Sequence, residues 1–129
     1  MKFLVSALLL CLALAQAARA DDFTSRATAG RAAAQNIEGS KYALTLFPIL
    51  KQAGNACDPP GTKLPPSELG HFALIGNITD TGQMIDIEVR PATQMAICFA
   101  KQMSTAQFSA PPLDGRPTYP VVVDLNVTP

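Results

Sequence analysis

The 129-residue chain has no tryptophan, few aromatic residues and a single histidine, His71. One histidine without clustered ligands cannot complete a zinc tetrahedron. No serine or cysteine pairs with it in a recognisable nucleophile motif, so a structural role at the start of a strand suits His71 better than that of a general base. Clustered basic residues are also missing: Lys and Arg stand singly along the chain, without the footprint of a nucleic-acid binder. Nor does any apolar run reach the roughly 20 residues that a membrane-spanning helix needs.

The longest apolar run, Phe3 to Ala15, follows Lys2 and precedes Ala18-Arg19-Ala20. A positive start, a short apolar stretch and a small-x-small end form the pattern of a secretory signal peptide. Residues 1–20 are therefore expected to be removed after Ala20, with Ala17 as the less favoured alternative and retention of residues 3–17 as an anchor as the competing reading. Cys11 lies inside the run and leaves with it; Leu10 before it is too bulky for a lipid-anchor site. Removal takes away Lys2 and Arg19 and no acid, leaving eight basic against ten acidic residues. The remaining length suits one domain with a modest core, expected in the periplasm.

Cys57 and Cys98 then remain as an even pair in an oxidising compartment, which reads as one disulfide. Two buried free thiols are the alternative.

Along the mature chain, the Ala-rich stretch from Thr24 to Asn36 has helical propensity but little hydrophobic pattern. Residues 21–40 are accordingly expected to form a peripheral or frayed helical segment, and 41–129 the domain proper. Tyr42, Leu46, Ile49, Leu50 and Ala53 mark one face of a core helix. Pro48 should kink it or make it begin afresh near Phe47, and Gly54-Asn55 should stop it. Asp58 to Gly70, with four prolines and two glycines, reads as a stiff connection.

"HFALIGNI" and "MIDIEVR" flank the turn signal Asp80-Thr81-Gly82 and predict a hairpin. In its first strand Phe72, Leu74, Gly76 and Ile78 share a face, with Ala73 and Ile75 opposite. In its second, Ile85, Ile87 and Val89 should face the core and Asp86, Glu88 and Arg90 the solvent. A second helix carries Met95, Cys98, Phe99 and Met103 on one stripe, and Tyr119 to Thr128 alternates as a last strand. The expected fold class is α+β, in the order helix, strand, strand, helix, strand. Its three-stranded antiparallel-type sheet has strand one central, and the helices cover one face. Strands two and three become the edges, which need protection or serve as docking sites.

"FALIGNITDTGQMIDIEVRPA" and "AQFSAPPLDGRPTYPVVVDLNV" resemble the hairpin and the closing strand of TonB-type C-terminal domains, over about Gly70 to Val127. The chain is similar to a stand-alone exported relative of the energy transducer. The resemblance implies a non-catalytic binding or adaptor module whose last strand accepts an extended peptide by strand addition. Its partner would be an outer-membrane receptor or another envelope transport component. Carried over by position, the docking edge comprises Val121, Val122, Val123, Asp124, Leu125, Asn126 and Val127.

Other chemistry is sparse. Asp86 and Glu88 at i, i+2 could suggest a glycosidase pair, but a solvated strand face accounts for them more simply. Met84, Met95 and Met103 could suggest a soft metal, yet two of them lie on the helical core stripe. The sequons Asn77-Ile78-Thr79 and Asn126-Val127-Thr128 read as strand residues. No cofactor, small-molecule substrate or nucleic acid is expected. A structural or inhibitory exported protein without peptide capture is the alternative function, and a membrane-anchored transducer a further one.

Overall fold

A computed structural model describes residues 22–58 and 61–129. The expected signal peptide with Cys11, and Pro59-Pro60 of the proline-rich connection, lie outside the described residues. Among the described residues the fold is α+β, with three α-helices, a short 3-10 turn at Pro66–Glu68 and a three-stranded antiparallel sheet. Helix α1 occupies residues 22–33 and α2 Ile37–Cys57; β1 is Gly70–Ile78, β2 Met84–Arg90, α3 Gln94–Thr105 and β3 Tyr119–Val127. Strand β1 lies in the middle, with β2 and β3 on either side and antiparallel to it. That is the expected strand arrangement, with strand one central.

Alternation also decides which side chains meet. Phe72, Leu74 and Ile78 of β1 join Tyr119, Val121 and Val123 of β3 on one sheet face. There they pack with Tyr42, Leu46 and Ala53 of α2 and with Met95, Phe99 and Met103 of α3. The opposite face is covered as well: Phe23 and Ala27 of α1 pack on Ile75, with Ala73 and Val122 beside it. Helices on one face only is thus correct for α2 and α3 and wrong for α1. The Ala-rich segment is neither peripheral nor frayed; its small side chains let the helix lie close to the sheet, and Ile75 is sealed from solvent.

Helix α2 also departs from expectation. It runs unbroken through Pro48 to Cys57. Pro48 cannot donate to the carbonyl of Leu44, but both residues are exposed, so the missing donor falls on the solvent side of the helix rather than in the core. Gly54-Asn55 does not stop the helix; it ends at Asp58, whose N–H donates to the Gly54 carbonyl at 2.9 Å. At its start the side chain of Asn36 accepts from Gly39 N–H at 2.7 Å, one of the free donors of a first turn. Helix α3 has a double cap: Thr93 Oγ1 accepts from Ala96 N–H, and the Glu68 carboxylate accepts from Gln94 and Met95 N–H. Glu68 thereby ties the proline-rich connection to α3, with its negative charge at the positive end of the helix dipole.

The hairpin turn behaves as predicted, with Gly82 at φ +84 and Gly82 N–H bonded to the Thr79 carbonyl. Phe108 N–H donates to the Gly82 carbonyl at 2.8 Å, and the Gln107 amide donates to the Thr81 carbonyl at 2.7 Å, so the chain leaving α3 fastens the tip. In β2 the alternation breaks. Ile75 pairs with Glu88 and Asn77 with Ile85, leaving Asp86 and Ile87 together opposite Gly76. Two residues against one is a β-bulge, and Asp86 adopts φ +53, a left-handed conformation that Asp tolerates better than most residues. The bulge turns Ile85 to the face it shares with Asn77 and leaves it exposed, while Met84 takes the core seat beside Ile78. The predicted common face of Ile85, Ile87 and Val89 is therefore incorrect at Ile85.

Candidate binding edge

All seven residues Val121 to Val127 lie on β3, an edge strand paired on one side with β1. The two halves of this edge differ. Beside the first half, α1 approaches so closely that a Cβ on Gly30 would sit 2.7 Å from Val122 N and 2.9 Å from Val121 C. One turn-step later, Arg31 reaches the carboxylate of Asp124 at 3.3 Å. The peptide between Val121 and Val122 is thus shielded.

The second half borders a cleft of about 260 Å³ between β3 and the end of α2. Its floor is apolar, made by Phe72, Met95, Phe99 and Leu125, and its rim carries Asn55 and Asn126. The Phe72 and Phe99 rings meet edge to face with centroids 5.8 Å apart. Val123 is buried, Leu125 and Val127 are half-buried, and Asp124 and Asn126 are exposed.

Pro120 fixes the phase of the edge backbone. It has no N–H, and proline within an edge strand places its nitrogen on the side away from the neighbouring strand. Successive residues of a strand direct their N–H and C=O groups to alternate sides, so Val122, Asp124 and Asn126 share the outward direction of Pro120. Val122 lies under α1. Asp124 and Asn126 remain as the outward groups beside the cleft.

The other singled-out residues are dispersed. The Sγ atoms of Cys57 and Cys98 lie 2.14 Å apart, at disulfide distance, joining the end of α2 to α3. His71 is exposed on β1 opposite Asn126. Met84, Met95 and Met103 are all buried in the core. Asn77 is half-buried in β1 and Asn126 exposed on β3. Asp86 and Glu88 line an open cleft of about 410 Å³ on the α1 side, with Arg26 among them. Arg26 donates to the Asp86 carbonyl. Glu88 lies 3.7 Å from Arg26 and 3.9 Å from Arg90. The two carboxylate residues thus border one cleft despite the bulge between them and β1, and Glu88 is engaged by two arginines. Among the described residues, no group of three His, Cys, Asp or Glu side chains is placed to hold a metal ion.

Sequence reasoning missed Arg26, Arg31 and Gly30, which join α1 to β2 and β3. Their signal was weak: a scattered pair of arginines and a glycine in an alanine-rich stretch look like solvent-facing spacing. Comparison with protein-family models, with curated proteins and with solved structures gave no match.

Proposed function

We propose that this chain is a periplasmic, non-catalytic binding module of TonB C-terminal type that captures an extended segment of an envelope protein by strand addition. The docking segment is the second half of β3, from Asp124 to Val127. The observation that carries the reading is the apolar-floored cleft lying directly beside an edge whose outward groups belong to Asp124 and Asn126. Strand addition draws affinity from main-chain hydrogen bonds and selectivity from pockets for alternate side chains. The cleft supplies such a pocket next to the edge.

Peptides selected from a random octapeptide display library provide the test. Selected binders should carry an apolar residue at alternate positions and should slow amide exchange at Asp124 and Asn126. Asn126→Pro removes an outward donor that β1 does not use, so it should abolish capture while the melting temperature stays within a few degrees. Val123→Pro removes a donor directed at β1 and should unfold the domain. Binders that hold Asn126→Pro as tightly as the wild type would defeat the proposal.

A structural role without peptide capture draws support from one feature. A charged residue on an edge is a device that discourages pairing, and Asp124, salt-bridged to Arg31, stands in the middle of β3. On that reading no library peptide is retained.

A further inference from the structure

The outward surface of the α2–α3 layer carries four of the five exposed large apolar side chains among the described residues. On α2, Ile37, Leu44 and Phe47 are 74%, 68% and 68% exposed. Helical spacing puts them on the side opposite Tyr42, Leu46 and Ala53, which face the core. On α3, Ile97 is 53% exposed and stands opposite the buried Met95, Phe99 and Met103 by the same rule. Lys41, Lys51 and Lys101 are exposed on these same outward sides, and Glu38, 3.8 Å from Lys41, is the only acid in either helix.

Charge is divided accordingly. Of the eight basic and ten acidic residues from position 21 onward, α2 and α3 hold three bases and one acid, leaving five bases and nine acids elsewhere. Residues 21–129, in which acids outnumber bases by two, thus gather three of their lysines among the most exposed large apolar side chains described.

We propose that this face docks onto the surface of an anionic phospholipid bilayer. A second protein of ordinary surface chemistry would answer the apolar stripe but not the lysines between its members; an anionic bilayer answers both. Apolar side chains enter the boundary between headgroups and acyl chains, while lysine stems lie along it with their ammonium groups among the lipid phosphates. Both helices already use their other sides in the core, so docking requires no unfolding. The attachment is peripheral, since no described helix is long and apolar enough to cross a membrane. Docking by this face also leaves α1 and its sheet face directed away from the lipid.

The absence of tryptophan makes a local test available. Phe47→Trp introduces the chain's single indole on this face, so its emission reports on that position whatever the N-terminal residues do. Vesicles of phosphatidylethanolamine and phosphatidylglycerol in a 7:3 ratio should shift the emission to the blue and protect it from aqueous quenchers, whereas phosphatidylcholine vesicles should do neither. Combining Lys41→Gln, Lys51→Gln and Lys101→Gln in that background should weaken apparent binding at least tenfold, with the melting temperature preserved because none of the three is buried. Emission unchanged at saturating anionic lipid would overturn the proposal. So would an equal response to both vesicle types, or a blue shift that follows protein concentration without lipid, which would show a second copy covering the face.

Discussion

Gly30 of α1 lies against the backbone of Val122 in β3, with no room between them for a methyl group. This contact lets a helix of small residues seal the second face of the sheet, because a larger side chain would lift α1 from Ile75. It also shields part of β3, which confines the candidate docking edge to the strand's second half.

Gly30→Ala should therefore destabilise the domain although alanine is the better helix former. Overpacking against fixed backbone costs on the order of 1–3 kcal/mol, more than the roughly 1 kcal/mol that helix propensity returns. Gly54→Ala is the control, since a Cβ there meets nothing within 4 Å and propensity alone should stabilise α2. Urea denaturation of the two variants should move the midpoint in opposite directions. Midpoints rising together would mean that α1 can retreat from β3 without loss.

The elements with strong contrast between apolar and polar positions were legible in the sequence. Tyr42, Leu46 and Ala53 identified the core side of α2, and Tyr119 to Val127 displayed the alternation of β3 directly. Helix α1 was not legible as a buried element because alanine gives no hydrophobic contrast; its packing rests on Phe23, Ala27 and closeness at Gly30. The bulge was hidden for a related reason. Ile85 and Ile87 are both apolar, so regular alternation looked complete, and only pairing with β1 shows Asp86 and Ile87 sharing one partner position. Pro48 and Gly54 misled because their usual meaning depends on surroundings: an exposed helix face tolerates a missing donor. As for the candidate site, the sequence supplied the strand but not its phase or its neighbours. The adjoining cleft depends on α2 extending past Gly54, which local stop signals denied.

Cys57 and Cys98 enclose the proline-rich connection and the whole hairpin, 41 residues apart in sequence. Removing a bridge over a loop of this size restores conformational freedom to the unfolded chain, an effect of about 4 kcal/mol in the chain-entropy account. Cys57→Ala with Cys98→Ala should lower unfolding stability by roughly 2–4 kcal/mol in the same frame, and added reductant should then have no further effect. Undiminished stability in the double variant would show that the connection is already ordered by other contacts, Glu68 at the α3 cap being the first to examine.

Tyr42 sets an alkaline limit. Its hydroxyl donates to the Ser109 carbonyl at 2.9 Å, and its ring meets Tyr119 edge to face at 5.0 Å. Burial, with Tyr119 acting in the same direction, pushes the Tyr42 phenol up to about 12. Tyr119 is also raised, chiefly by burial, with Arg116 lowering it and Asp114 raising it. A folded-state value above that of the unfolded chain means that the unfolded state releases its proton first. The stabilisation is complete below pH about 10, the ordinary tyrosine value, and is lost as pH rises through about 12. Tyr42→Phe should cost about 1 kcal/mol at neutral pH through the lost hydrogen bond and should flatten the decline above pH 10, leaving the part due to Tyr119. An unchanged alkaline decline would place its origin elsewhere.

Phe23 decides whether α1 belongs to the folding unit. It is buried on Ile75 and Ala27, and the Arg90 guanidinium lies 4.4 Å above its ring centroid, so a single side chain joins α1 to both β1 and β2. Phe23→Ala removes the largest apolar group on this sheet face and the partner of a cation–π contact. Core Phe→Ala changes cost about 3–5 kcal/mol, and a position near a helix end, free to relax, belongs toward the lower figure. Because Ile75 is wholly buried, loosening α1 also exposes the central strand's second face. The variant should therefore lose exchange protection at Ile75 and in β2 together with α1, in one cooperative step. Thr24→Ala, at an exposed neighbouring position, should leave both stability and protection unchanged. If Phe23→Ala frayed α1 alone while β1 and β2 kept their protection, the helix would be an appendage after all, and the close approach of Gly30 to β3 would contribute little to the fold.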